Sequence, residues 1–190
     1  MDRQSEKIIV IGGSAGSFRL VSDILNSLPA DFPSTLIICL HRLRSARNGF
    51  LEALSIKTEF EVQEPFDKEQ IRPSVAYLAP ANYHLLATYG RRFSLSVDDP
   101  CNHSRPSIDM TMQTIAWIYR KKVTGILLSG ANMDGAKGLK RIKEKGGYTI
   151  TQDPGTAEIK TMPQAAINLF TPDLITGKQG IIDYILGLKS

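Results

Sequence analysis

Three residues in this chain are of the types that carry out acyl transfer, and each follows a run of β-prone aliphatics. Ser14 lies in Gly12-Gly13-Ser14-Ala15-Gly16, directly after Ile8-Ile9-Val10-Ile11. His41 follows Leu36-Ile37-Ile38-Cys39-Leu40. Asp134 lies in a second glycine-containing turn, Ser129-Gly130-Ala131-Asn132-Met133-Asp134-Gly135, which follows Gly125-Ile126-Leu127-Leu128. A hydroxyl, an imidazole and a carboxylate are the set for nucleophilic acyl transfer. His41 would take the Ser14 proton, and Asp134 would fix the imidazole tautomer and stabilise its cation.

The turn at 12–16 does not decide the matter alone. A Gly-x-Ser-x-Gly stretch between a strand and a helix fits a nucleophile elbow, with Gly13, Ala15 and Gly16 as the oxyanion loop. Glycine-rich turns at this place also bind phosphates or dinucleotides, or are merely structural. Gly12, Gly13 and Gly16 do not have the G-x-G-x-x-G spacing, and the phosphate-loop lysine is missing. His41 alone reads equally as an exposed strand-end histidine. Asp134 alone reads as a cap for the helix that follows. His84 is expected to be fixed by packing. His103 sits in a polar loop within reach of a substrate. Asp109 and Asp153 are alternative carboxylates, Asp109 being explained by a place in the first turn of a helix.

What brings the three together is the order of elements. Aliphatic runs at 8–11, 35–40, 75–78, 123–128, 148–151 and 174–175 read as strands, with an alternating strand at 58–62. Helical spacing predicts helices at 18–28, 48–56, 108–119, 136–145, 163–169 and 180–186. Segments 84–87 and 93–97 read as a hairpin, and 98–106 as a polar loop ending at Ser107, a helix cap. This alternation predicts an α/β fold: a doubly wound, mostly parallel sheet flanked by helices in three layers, with an inserted antiparallel hairpin. Parallel strands place Ser14, His41 and Asp134 on one sheet edge, where open α/β sheets bind ligands.

Composition sets the remaining bounds. The 190 residues fit one domain over 1–190. No apolar run reaches the ~20 residues of a membrane span, and the polar N-terminus is not a signal peptide. Two cysteines outside any C-x-x-C pair exclude the usual structural zinc patterns and suit a cytoplasmic setting. The net charge of +4 is mild. No recognition module or aromatic interleaving supports nucleic-acid binding. Of the basic clusters, Arg42, Arg44 and Arg47 stand apart because they follow His41 directly and would form a rim attractive to an acidic partner.

The chain resembles the catalytic domain of the CheB chemotaxis protein-glutamate methylesterases. The resemblance is carried by Ile11-Gly12-Gly13-Ser14-Ala15-Gly16, His41, Tyr77-Leu78-Ala79-Pro80, Asn102 with Ser104-Arg105-Pro106-Ser107-Ile108-Asp109, Ser129-Gly130, Asp134-Gly135-Ala136, Gln152-Asp153 and Met162-Pro163. It implies Ser14 as nucleophile, His41 as base and Asp134 as orienting acid. It implies hydrolysis of glutamate methyl esters, and deamidation of glutamines, on the cytoplasmic helices of methyl-accepting chemoreceptors, with no cofactor and no metal. The family's Gln-His-Met-Pro stretch reads Leu40-His41-Arg42-Leu43 here. Its Met-Gly-Asn-Asp reads Ala131-Asn132-Met133-Asp134, its Arg-His-Arg-Pro reads His103-Ser104-Arg105-Pro106, and Ser17 stands where Gly is usual. Arg42, Asn102, Arg105 and Met133 are therefore the substrate-rim candidates. With the first strand starting at about Lys7, a stand-alone domain is expected, regulated by a receiver domain or hybrid kinase in trans. A hydrolase of another ester, and a module that binds a receptor or signalling partner without turnover, are the alternatives.

Overall fold

The computed structural model describes residues 7–42 and 49–188. In chain order the elements are β1 (Ile8–Gly13), α1 (Phe18–Ser27), β2 (Thr35–Leu40), α2 (Phe50–Ser55), β3 (Val62–Gln63), β4 (Ala76–Leu78), β5 (His84–Ala87), β6 (Phe93–Ser96), α3 (Ile108–Tyr119), β7 (Val123–Leu127), α4 (Ala136–Glu144), β8 (Tyr148–Gln152), α5 (Thr161–Leu169), β9 (Leu174–Thr176) and α6 (Lys178–Gly187). A single 3₁₀ turn, Arg120–Lys122, joins α3 to β7. Seven strands form one sheet in the order β3-β4-β2-β1-β7-β8-β9, and every neighbouring pair is parallel. The pair β5-β6 is a separate antiparallel hairpin.

This is the doubly wound architecture that strand–helix alternation predicts. The chain runs outward from β1 through β2 to β3 and β4, then returns to the other side of β1 as β7, β8 and β9. The reversal between β1 and β7 leaves a crevice at the carboxyl ends of the central strands.

The central strands are buried on both faces, which is why they read as continuous aliphatic runs. Ile9 and Ile11 of β1 face α1, α2 and α6, against Leu25, Leu54 and Ile181. Ile8 and Val10 face the other layer, against Met112 and Ile115 of α3, Leu139 of α4 and Phe93 of the hairpin. Burying each such side chain stabilises the fold by roughly 1.5–3 kcal/mol.

The sequence pattern misplaces some boundaries. An alternating strand at 58–62 is replaced by a bend. The Thr58 hydroxyl accepts from the Phe60 amide at 3.1 Å and donates to the Leu25 carbonyl at 2.8 Å. Side-chain hydrogen bonds of this kind draw the backbone away from a ladder, and only Val62 and Gln63 pair with β4. Helix α5 starts at Thr161, ahead of Pro163, because a proline in the first turn lacks an N–H that would be unpaired there anyway. Of the helix expected over 48–56, Asn48 lies outside the described residues, as do Arg44 and Arg47.

Helices α3 and α4 approach most closely at Gly138. A Cβ there would lie 2.7 Å from Met112 Cβ and 3.0 Å from Asp109 Cα. Gly138→Ala should therefore destabilise the protein by about 1–3 kcal/mol, although alanine is intrinsically the better helix former by about 1 kcal/mol. Urea unfolding measures this, and a gain in stability would mean that the two helices can separate freely.

Candidate active site

Ser14 leaves the end of β1 on a turn that is held from three sides. Its amide donates to the Ser129 carbonyl beyond β7 at 2.9 Å. Its carbonyl accepts from the Ser17 amide at 3.1 Å and from the Ser17 hydroxyl at 2.6 Å. Ser17 is thus buried beneath the turn as a brace and does not narrow the entrance. Gly16 has φ +80° and lies against Glu158, whose Cβ would be 2.6 Å from an added side chain. Ser14 is half-buried, and Ala15 and Gly16 are exposed. Gly13 is buried, and its carbonyl accepts from the His41 amide at 3.2 Å, which ties the ends of β1 and β2 together.

His41 reaches from the end of β2 toward Asp134. Its Nε2 lies 2.8 Å from Asp134 Oδ2, with the side chains 12% and 0% exposed. Asp134 receives four further hydrogen bonds. Oδ2 accepts from the Ile108 amide at 2.7 Å. Oδ1 accepts from the Asp109 amide at 3.1 Å, the Ser107 hydroxyl at 3.0 Å and the Asn102 side-chain amide at 2.9 Å. Two of these donors are the first amides of α3, so the positive end of that helix also faces the carboxylate. Burial pushes the Asp134 carboxyl up. The hydrogen bonds from His41, Asn102 and Ile108, and the attraction of His41, outweigh it and hold the group below the ordinary carboxylate value. An ionised Asp134 accepts, so Nε2 carries the proton and Nδ1 is left as the acceptor nitrogen. Ser104 Oγ lies 3.3 Å from Nδ1 and donates to it.

Asp134 does not cap its own helix. Gly135 is the N-cap of α4 and has no side-chain bond to offer. The amides of Gly135 and Gly138 donate instead to Asp109 Oδ1 at 3.0 and 2.7 Å. Asp109 is therefore held by α4, and not only by its own helix α3 as the sequence suggests. Burial first, and then the negative charge of Asp134, push the Asp109 carboxyl up, against the lowering effect of the Gly138 amide. The Asn102 side-chain amide touches both carboxylates, donating to Asp109 Oδ2 at 3.0 Å.

A cleft of about 560 Å³ opens over these groups, and Ser14, Ala15, His41, Arg42, Ser104 and Arg105 are among its walls. Of the rim candidates, Arg42 and Arg105 line it. Asn102 stands behind Asp134. Met133 is exposed and lines a neighbouring groove with Lys160 and Leu169. His103 lines the cleft. His84 is fully buried, with Nε2 3.1 Å from the Asp99 carbonyl and Nδ1 accepting from the Ser107 amide at 3.2 Å, as packing in the hairpin requires. Ser104 falls in the 102–109 motif that carries the family resemblance, but the sequence assigns it no role of its own; its contact with His41 is visible only in the fold. Among the described residues no group of three His, Cys, Asp or Glu side chains could hold a metal ion. No helix among them is long and apolar enough to cross a membrane.

A family profile described as CheB methylesterase matches residues 9–185. The chain belongs to the CheB methylesterase family. Its backbone is similar to the crystal structure of the Thermotoga maritima CheB methylesterase catalytic domain, with a TM-score of 0.91 and 32% identity over 97% of this chain and 99% of that one. The Thermotoga maritima protein-glutamate methylesterase/protein-glutamine glutaminase is 32% identical over 96% of this chain, and this chain spans about half of it, 51%. A Leptospira interrogans protein provisionally named for the same two activities is 39% identical, over 95% of this chain and 93% of its own length. The seven-stranded parallel sheet with its separate hairpin is thus the CheB catalytic-domain fold.

The hydrogen-bond set on Asp134 makes a pH-dependent prediction. Its folded pKa is lowered, so its stabilisation is fully present above the unfolded value of about 3.9 and is lost as pH falls through the folded value. Asp134→Asn should cost about 2–4 kcal/mol at pH 7, since it leaves buried donors facing an amide. The gap to wild type should narrow below about pH 4. Urea unfolding at a series of pH values checks both the size and the sign.

Proposed function

We propose that this chain hydrolyses methyl esters of glutamate side chains on the cytoplasmic helices of chemoreceptors, and deamidates glutamines there by the same acyl chemistry. The observation that carries the reading is that Ser14 and His41 line one cleft at the reversal point of the sheet, with the buried Asp134 bonded to His41 from behind. Family membership and the names of the relatives support the substrate class.

In this mechanism the Ser104 hydroxyl swings off Nδ1, and His41 Nδ1 takes the proton of Ser14 Oγ as that oxygen attacks the ester carbonyl. Asp134, bonded to Nε2, stabilises the imidazolium. Backbone amides of the turn at Ala15 and Gly16, at the start of α1, stabilise the oxyanion. Collapse breaks the bond to methoxide, which leaves as methanol with the proton from Nδ1. Water then gives a proton to Nδ1 and attacks the acyl-enzyme, and Ser14 Oγ departs with that proton as glutamate is released. For a glutamine the leaving group is ammonia.

The proton acceptor here is Nδ1, since Nε2 is committed to Asp134. Ser14→Ala should lower methanol release from a methylated receptor fragment by at least about 10³-fold, the order lost when a triad nucleophile is removed. It should leave the unfolding free energy within about 1 kcal/mol of wild type. Unchanged release in this variant would refute the nucleophile. Turnover of small esters without turnover of the methylated fragment would point to another substrate. Binding of the fragment by wild type with no release at all would point to a recognition module.

A further inference from the structure

The reaction described above uses the floor of the cleft and leaves two of its wall residues without a task. Arg42 and Arg105 both line it. The Arg42 side chain is only 1% exposed. Its Nη2 donates to Glu64 Oε1 at 2.7 Å and to the Ala79 carbonyl at 2.5 Å. Its Nε and Nη1 are buried with no acceptor. The Phe50 ring lies 5.2 Å from Cζ and supplies no oxygen acceptor for these donors. Arg105 repeats the pattern. Nη1 donates to the carbonyls of Val97 and Asp98 at 2.5 and 3.0 Å, Nη2 donates to Asn82 Oδ1 at 3.3 Å, and Nε is buried with no acceptor.

Buried donors on a cation are costly unless an acceptor meets them. The acceptor that pairs best with a guanidinium is a carboxylate or another oxyanion. The rest of the cleft has the same bias. His41 and His103 line it, and among the described residues no Asp or Glu does. Glu64 balances one nitrogen of Arg42 and is itself about one-third exposed, at 35%.

The geometry points to a carboxylate subsite formed by Arg42 and Arg105 beside Ser14, which selects polypeptides carrying a free Asp or Glu next to the reacting glutamyl ester. The inference deepens the esterase reading and rests on it for the identity of the ester. Arginine suits the task because it stays charged at every working pH and presents its donors in a fixed plane.

The test uses two blocked peptides that differ only at the residues flanking a central glutamyl γ-methyl ester, glutamate in one and serine in the other. Isothermal titration of Ser14→Ala protein reads binding without turnover. The acidic peptide should bind at least tenfold more tightly, and the preference should shrink toward unity in Ser14→Ala/Arg42→Met and fall with added salt. Arg42→Lys keeps the charge and loses the planar fork, so it should keep only part of the preference. This second variant covers the case in which methionine disturbs the fold, which circular dichroism would detect. Equal binding of both peptides, or a preference that survives both substitutions, overturns the subsite. Methanol release by the wild type separates the two levels. Release without acidic preference removes the subsite and leaves the esterase. Preferential binding without release removes the esterase and leaves the subsite.

Discussion

The structure around the candidate site depends on an exchange of carboxylates between two helix starts. Asp134, just before α4, accepts from the first amides of α3. Asp109, in the first turn of α3, accepts from the amides at the start of α4. Each helix thus satisfies its orphan N–H groups with a side chain from the other. Neither carboxylate can move without leaving amides unpaired at the start of the helix it serves. Gly138 lets the helices come close enough for the exchange, since any side chain there meets Asp109 backbone. The price of this arrangement is two negative groups side by side, and the Asn102 amide that touches both offsets part of their repulsion.

That exchange determines which nitrogen of His41 is left with a free lone pair. With Asp134 fixed and ionised, Nε2 must donate to it, and the basic lone pair is confined to Nδ1. The ring cannot turn over without losing the shortest side-chain contact of the group. Ser14 is located by equally rigid means. Its amide is bonded across to the end of β7 and its carbonyl to the buried Ser17. Ser14 and His41 are therefore each held at the ends of central strands that are themselves buried on both faces. The sheet holds Ser14 and His41, and the loops and helix starts hold Asp134.

Much of this was legible in the sequence. The β1, β2 and β7 runs are aliphatic because both sheet faces bury them, and that pattern is local. The site residues stand where those runs stop, so their sharing one edge followed from parallel pairing alone. The misplaced strand at 58–62 shows the limit. Its alternation is genuine, but a threonine hydroxyl bonded to its own backbone and to Leu25 takes the chain out of the ladder, and Leu25 is 33 residues away. Asp109 fails for a similar reason. A carboxylate in a first helical turn has a sufficient local explanation, and nothing in the spacing reveals that a second helix ends on it. Ser104 and Ser17 are hydroxyls whose partners are set by tertiary contacts, so neither type nor spacing distinguishes them from loop serines.

Arg42 presents the opposite case, a residue that local reasoning places on a solvated rim and the fold places inside the wall. Replacing a buried cation by a well-packed apolar side chain is often neutral or stabilising, and position 42 is where the family resemblance expects methionine. The bond to the Ala79 carbonyl gives the arginine one structural task, but it leaves Nε and Nη1 unmet. The Glu64 contact is no counterargument, because Glu64 is partly exposed and can be hydrated without it. Proteins tolerate unfavourable buried groups chiefly where function uses them. A guanidinium with unmet donors, in the wall of the cleft that holds Ser14 and His41, fits that rule.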